Sequence, residues 1–217
     1  QVCAFVREVV GGEAVVVGNS LGGYTALAAA AHLPEDIKGC VLLNAAGRFS
    51  DPEADAKAAE AAAREKTFWD QAVEAVSAAL QRAIIIASFY YTKQPLRIKQ
   101  VLSQVYIDRR NVDEELVESI RYASLHPNAP EVFYRVIARN GRGPPTTVND
   151  LLAKLTTPLL LLWGEQDPWI RPTAADKIQA LHPPAERVWV QAGHCPHDEA
   201  PEEVNGALLG WLKSIGY

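Results

Sequence analysis

The stretch AVVVGNSLGGYTA, residues 14–26, places a serine directly between an apolar run and an alanine-rich segment. The run Ala14–Val17 predicts a strand buried on both faces. Helical composition begins immediately after Ser20. So tight a turn predicts a strained backbone at Ser20, and it requires the residues two positions before and after, Gly18 and Gly22, to be small. The turn lifts the hydroxyl clear of the sheet, above the free N–H groups of the helix N-terminus.

The segments around this turn alternate between strand and helix. After a first helix over Val2–Val10, strand, helix and strand follow within about 30 residues, the signature of a parallel sheet. The same alternation resumes after Pro158. We therefore predict an α/β fold with a mostly parallel sheet, four strands of which are present, and helices on both faces. The predicted elements are the strands Ala14–Val17, Cys40–Asn44, Leu159–Trp163 and Arg187–Gln191 and the helices Leu21–Ala31, Thr173–Leu181 and Glu202–Ile215.

Between the second and third strands the pattern is helical throughout. Gly141–Pro145 marks the exit from this block. The sequence therefore predicts core segments over 1–46 and 149–217, with a helical cap inserted over 47–148. The predicted cap helices are Pro52–Lys66, Trp69–Thr92, Leu96–Tyr106, Val112–Ser124 and Pro130–Arg139.

Composition excludes several classes of protein. A net charge of −5 gives no reason to expect nucleic acid or an anionic membrane surface as partner. Cys3, Cys40 and Cys195 are far apart and odd in number, so we predict reduced thiols in an intracellular compartment and no metal site. The turn at Ser20 lacks the glycine and lysine patterns of a phosphate cradle, and no cofactor is predicted. The apolar stretch Ala83–Ala87 is too short to span a bilayer.

The chain has no methionine and begins within a helical pattern. We therefore expect it to be a fragment of a longer protein, which leaves the first strand with an unpaired edge.

Three predicted strands end near a reactive side chain, in the order Ser20, Asp167, His194. Because the carboxyl ends of parallel strands lie along one edge of a sheet, we expect these side chains to converge. Serine is then the nucleophile, histidine the base and acid, and aspartate the group that holds the imidazole tautomer. The backbone N–H of Leu21 would be one donor of an oxyanion hole.

Each of these assignments has an alternative. Asp167 could be only a turn residue before a proline, with Glu165 as a more distant candidate for the acid. His197 competes with His194, but we expect it to order its loop through hydrogen bonds to its acidic neighbours. His194 follows a glycine at a strand end, which favours it as the base.

Aromatic side chains of the cap are candidates for a lipophilic pocket. We assign Phe89 and Tyr90 to that pocket, together with Asn19 and Trp169 beside the candidate catalytic residues. The alternative for the cap aromatics is that they form the cap's own core. Peripheral membrane contact through Ile84–Tyr91 is a further alternative.

The motifs GNSLGG, GEQDPW and AGHCPHDEAPEEVN, in this order, resemble those of the α/β-hydrolase family. The whole chain, including LLNAAGRF and KQPLRIKQVLSQVYIDRRNVDEELVESI in and beside the cap, is similar to plastid and cyanobacterial members grouped with pheophytinase and chlorophyll dephytylase. By position, the resemblance implies Ser20 as nucleophile, Asp167 as acid and His194 as base. Such enzymes have four further strands before the serine, and a loop among them supplies the second oxyanion donor, which has no counterpart here.

The resemblance implies hydrolysis of a hydrophobic carboxylic ester, including the phytyl ester of a chlorophyll catabolite, and a chloroplast location. Two alternatives stay open. One is a carbon–carbon bond hydrolase of ring-cleavage products, whose turn also reads Gly-Asn-Ser. The other is a catalytically weak small-molecule receptor of the same fold.

Overall fold

The computed structural model describes residues 1–63, 67–139 and 146–217. Its sheet has four parallel strands in the order β1-β2-β3-β4, so neighbours along the sheet are also neighbours in sequence. The predicted α/β class and parallel sheet are confirmed. The strands are β1 (Ala14–Asn19), β2 (Ile37–Leu43), β3 (Leu159–Gly164) and β4 (Glu186–Val190).

Helices precede, connect and follow the strands. They are α1 (Val2–Phe5), α2 (Leu21–His32), α3 (Pro52–Ala63), α4 (Phe68–Thr92), α5 (Pro95–Val105), α6 (Glu114–Ala123), α7 (Ala129–Arg139), α8 (Val148–Lys154), α9 (Thr173–Leu181), α10 (Pro196–Glu199) and α11 (Pro201–Ser214). A π-helical turn over Val6–Val10 continues α1 and ends at Gly11, whose φ is 64°. The predicted end of the first cap helix, residues 64–66, and the predicted exit from the cap, residues 141–145, lie outside the described part of the chain.

The two faces of the sheet bury alternate residues of the same strands. In β3, Leu161 and Trp163 pack on one face with α2, α8 and α9, whereas Leu160 and Leu162 pack on the other with α11. All four are at most 1% exposed. Because successive side chains of a strand point to opposite faces, a strand covered on both sides must be apolar throughout. This explains the continuous apolar run of Leu159–Trp163.

Two short α-helices in the described part of the chain, α8 and α10, were not predicted from the sequence. α8 begins at a capping box in which the Thr147 hydroxyl accepts a hydrogen bond from the Asp150 N–H while the Asp150 carboxylate accepts from the Thr147 N–H. The Thr-x-x-Asp pattern is visible in the sequence and could have identified it. α10 is a single turn that follows the fourth strand.

The described chain divides into two compact units. The first comprises Gln1–Phe49, Leu102–Val112 and Thr146–Tyr217, and it contains the whole sheet. The second comprises Ser50–Val101 and Asp113–Pro145 and is helical where described. Leu102–Val112, which we call the strap, therefore belongs to the first unit although both of its ends continue into the second. The cap boundaries predicted at 47 and 148 stay a prediction.

One described helix is long and apolar enough to cross a bilayer. α4 has 25 residues and a mean hydropathy of 1.5 over its most apolar window, 11% of which is buried. Length and composition alone qualify it, and helices of soluble proteins meet the same criterion. The absence of a membrane-spanning segment stays a prediction.

Candidate active site

Ser20 lies at the turn between β1 and α2 with a backbone that L-residues rarely adopt. Its φ is 55° and its ψ −121°. Its N–H donates to the Leu43 carbonyl at 3.0 Å, and its own carbonyl accepts from the Ala46 N–H at 2.8 Å. Its side chain is half-buried and makes no capping bond to the helix. The strain predicted at Ser20 is therefore present, held by hydrogen bonds from the next strand and the residues after it.

Close packing explains one of the two small residues predicted around the serine. A Cβ at Gly18 would collide with the carbonyl of Gly22, so only glycine fits before the serine. The prediction for Gly22 is wrong, because a Cβ there would meet nothing within 4 Å. The second close approach is at Gly23, where a Cβ would lie 2.5 Å from the Cβ of Ala45.

His194 and Asp167 form a buried pair at the ends of β4 and β3. The imidazole Nδ1 lies 2.7 Å from Oδ2 of Asp167. His194 is 6% exposed and Asp167 3%. A carboxylate can only accept a hydrogen bond, so the pairing places a proton on Nδ1 and leaves Nε2 as the imidazole nitrogen that is free to accept one. The predicted partner Asp167, and not Glu165, meets the histidine.

Four hydrogen bonds hold the Asp167 carboxylate. Oδ1 accepts from the N–H groups of Trp169 at 2.7 Å and Ile170 at 3.0 Å, and Oδ2 accepts from Asn44 as well as from His194. Burial, the largest single influence, acts to raise the pKa of this carboxyl, but the bonds from His194, Ile170 and Trp169 outweigh it and lower the pKa. Asp167 is therefore ionised at neutral pH and fixed in orientation.

Asn44 is a site residue that the sequence reasoning missed. It follows β2, is fully buried and has a φ of 40°. Its Nδ2 donates to Oδ2 of Asp167 at 2.8 Å, and its Oδ1 accepts from the Gly164 N–H at 2.8 Å. Asn44 therefore orients the Asp167 carboxylate from the end of the neighbouring strand. Its position could have identified it, because Asn44 follows β2, the neighbour of the strand that Asp167 follows.

The sequence predicts ester hydrolysis at this site. On that prediction, replacing Asn44 with alanine is expected to lower kcat about 10-fold, because Asp167 loses one donor and a cavity opens beside the buried pair. Steady-state kinetics on a p-nitrophenyl ester measure the change. Asn205→Ala, at an exposed position of α11, is the matched control and is expected to leave kcat unchanged. An unchanged kcat in Asn44→Ala would show that the other three bonds suffice to orient Asp167.

Asn19 and Trp169 both contact the histidine. The Asn19 amide donates to the carbonyls of Leu43 at 3.1 Å and His194 at 2.8 Å, which uses both of its hydrogens. The Trp169 ring is 55% exposed, and its centre lies 5.3 Å from that of the imidazole. The structure thus gives Asn19 a role in holding the histidine backbone, while the predicted pocket role of both residues stays a prediction.

Phe89 and Tyr90 lie on α4 in the second unit. Phe89 is 6% exposed, and its ring centre lies 5.4 Å from those of Tyr90 and Phe133. Tyr90 is 53% exposed, with the ammonium of Lys93 4.8 Å from its ring centre. Phe89 therefore contributes to the packing between α4 and α7. The assignment of both residues to a substrate pocket stays a prediction.

The loop after β4 is ordered differently from the prediction. We expected His197 to bond its acidic neighbours. Instead, Asp198 accepts from the Tyr106 hydroxyl at 2.7 Å, and Glu199 accepts from backbone N–H groups. The two carboxylates, rather than the imidazole of His197, tie this loop to the rest of the unit. Within residues 1–63, 67–139 and 146–217, no group of three or more His, Cys, Asp or Glu side chains could hold a metal ion.

The sequence of this chain is similar to those of several known proteins. A model of the alpha/beta hydrolase family matches residues 1–207. The chloroplastic pheophytinase of Arabidopsis thaliana is 33% identical over 222 residues, which cover 99% of this chain and 44% of that protein. Lipase 1 of Psychrobacter immobilis is 24% identical, over 87% of this chain and 52% of that one. The chain therefore spans about half the length of these curated relatives.

Solved structures share the fold. A thermophilic esterase from Thermogutta terrifontis superposes with a TM-score of 0.65 at 24% identity, covering 99% of this chain and 70% of that one. A meta-cleavage product hydrolase from Pseudomonas fluorescens superposes with a TM-score of 0.69 at 20% identity, covering 97% and 69%.

Proposed function

This chain belongs to the alpha/beta hydrolase family, and on that premise we propose that it is a serine hydrolase of hydrophobic carboxylic esters, with Ser20, His194 and Asp167 as its catalytic triad. The observation that carries the proposal is the buried His194–Asp167 pair at the same sheet edge as the strained Ser20. Strained backbone at a serine between a strand and a helix is typical of a nucleophile rather than of an ordinary helix start.

The first half of the proposed reaction forms an acyl-enzyme. Nε2 of His194 takes the proton of the Ser20 hydroxyl as the serine oxygen attacks the ester carbonyl. Asp167 stabilises the imidazolium that results. The N–H of Leu21, at the N-terminus of α2, donates to the developing oxyanion. The imidazolium then protonates the leaving alkoxide, so the alcohol departs and the acyl group stays on Ser20.

The second half releases the acid. His194 takes a proton from water, and the hydroxide oxygen attacks the acyl carbonyl. The serine oxygen leaves and recovers the proton from the imidazolium. The carboxylic acid and the free triad result, so each turnover consumes one water and needs no cofactor.

The substrate class follows from the relatives. The relatives include a pheophytinase and a lipase. The resemblance supports a hydrophobic carboxylic ester as substrate, with the phytyl ester of a chlorophyll catabolite as the first to test. The chloroplastic relative supports a plastid location. No nucleic acid is expected as a partner, because the net charge is −5.

A fluorophosphonate probe tests the proposal on the full-length protein. The expected result is a single covalent adduct, located at Ser20 by peptide mass spectrometry, because only an activated serine attacks phosphorus quickly. Ser50, which belongs to the second unit, is the internal control and is expected to stay unmodified. A folded protein without an adduct at Ser20 would overturn the serine-hydrolase mechanism and favour a receptor.

A further inference from the structure

The backbone around His194 is held by two acceptors. The N–H of His194 itself donates to the Val105 carbonyl at 3.0 Å. The N–H groups on either side, of Gly193 and Cys195, both donate to Oε1 of Glu199, at 2.9 and 3.4 Å. Three consecutive N–H groups thus restrain the peptide planes next to the imidazole, most closely on the Gly193 side, where the bond is shorter.

Glu199 also holds the strap. Its second oxygen, Oε2, accepts from the Ile107 N–H at 2.7 Å. One carboxylate therefore joins the loop on both sides of His194 to the segment that supplies the Val105 carbonyl. A charged acceptor shared by three backbone donors forms hydrogen bonds about twice as strong as those between neutral groups.

Two further bonds join the strap to the same loop. The Tyr106 hydroxyl donates to Asp198 at 2.7 Å, and the Asn111 amide donates to the Asp198 carbonyl at 3.3 Å. Tyr106 is 6% exposed, and burial raises the pKa of its hydroxyl, so it stays protonated and donates at neutral pH. The contact is also close sterically, since a Cβ on Gly193 would collide with the Val105 carbonyl.

We propose that Glu199 is a positioning residue: its carboxylate fixes the backbone on both sides of His194 against the strap and thereby aims the imidazole at Ser20. This inference rests on the proposed function, because an aimed imidazole matters only if His194 transfers the proton of Ser20. Glu199 contacts neither the imidazole nor the serine in the bonds described above. It acts through the main chain, whereas Asp167 acts on the ring directly.

The test is Glu199→Gln in the full-length protein, assayed on a p-nitrophenyl ester. The glutamine keeps the length of the side chain but has a single oxygen. It can therefore accept from the Gly193 side or from Ile107 but not from both, and its NH₂ group faces the N–H that is left without an acceptor. We expect kcat to fall about 10- to 100-fold while KM stays within about 2-fold, because misplacement of a catalytic group by about 1 Å costs up to about 100-fold. Concentrations of active enzyme are set by fluorophosphonate titration.

The downfield ¹H resonance of the His194 Nδ1 proton separates positioning from mere stability. We expect this line to broaden or shift in Glu199→Gln, whereas a purely structural role would lower the Tm and leave both the line and kcat unchanged. Glu203→Gln, at an exposed position of α11, is the matched control and is expected to behave as wild type.

Each outcome decides one question. A wild-type protein that is not labelled would overturn the proposed function, whatever the variant does. A labelled wild type with an unchanged kcat in Glu199→Gln would overturn the positioning role alone. If the glutamine variant does not fold, Glu199→Asp replaces it: this side chain is too short to reach Gly193 and Ile107 together, and wild-type kcat there would likewise overturn the inference.

Discussion

Ester hydrolysis is expected to fall about 10⁶-fold when Ser20 is replaced by alanine, the size of the loss measured for the nucleophile of a serine protease. Without the hydroxyl there is no acyl-enzyme, and only substrate binding and the remaining oxyanion donor are left. Initial rates on a p-nitrophenyl ester measure the loss. The purified variant must first be shown to be free of contaminating esterases. Retention of more than about 1% of the activity would contradict the assignment of Ser20.

A second substitution at this position separates loss of chemistry from loss of fold. Ser20 has a φ of 55°, which alanine must also adopt. Glycine adopts it without strain, so Ser20→Gly is expected to be more stable to urea than Ser20→Ala by about 1 kcal/mol, the relief of strain less the extra chain entropy of glycine. Both variants should be equally inactive. A glycine variant that is less stable would show that Ser20 is not strained.

Replacing Asp167 with asparagine is expected to lower kcat about 10⁴-fold, as the corresponding change in the triad of a serine protease does. The surrounding bonds explain why. The N–H groups of Trp169 and Ile170 require an acceptor at Oδ1, so the new amide places its oxygen there. Its NH₂ then faces His194, donates to Nδ1 and forces the imidazole proton onto Nε2. In that tautomer, His194 cannot accept the serine proton.

The Asn44 amide makes the change worse, because its Nδ2 then meets a second NH₂ instead of a carboxylate oxygen. Steady-state kinetics measure the effect, and circular dichroism checks the fold. Asp176→Asn on α9, whose carboxylate pairs with the Arg187 guanidinium, is the control and should be active. If Asp167→Asn keeps activity within about 10-fold of wild type, the acid lies elsewhere, and Glu165→Gln becomes the variant to measure.

The α/β class with its parallel sheet and the resemblance to the pheophytinase group are confirmed. They were predictable because the patterns around the strands are clear: β3 is apolar at every position, and Ser20 lies between an apolar run and an alanine-rich segment. The meeting of Asp167 with His194 followed from one rule, that parallel strands end at one edge. The roles of these residues, and of Leu21 in the oxyanion hole, stay predictions.

What was missed depends on contacts that a sequence pattern does not encode. Asn44 carries its role through a buried bond to a residue more than a hundred positions away. Glu199 binds backbone N–H groups, which every residue except proline possesses. The residue types of its partners therefore do not indicate the contact. The error at Gly22 has the same origin, since the spacing of small residues does not say which of them faces another backbone.

The strap has a consequence for any attempt to shorten this protein. The chain leaves the sheet-containing unit after Phe49, returns for Leu102–Val112, leaves again and returns at Thr146. Excising the cap as one block would remove the Val105 carbonyl and the Ile107 N–H along with it. A minimal version must therefore be made by two separate deletions that keep the strap, and natural variation in length should be tolerated on either side of it but not within it.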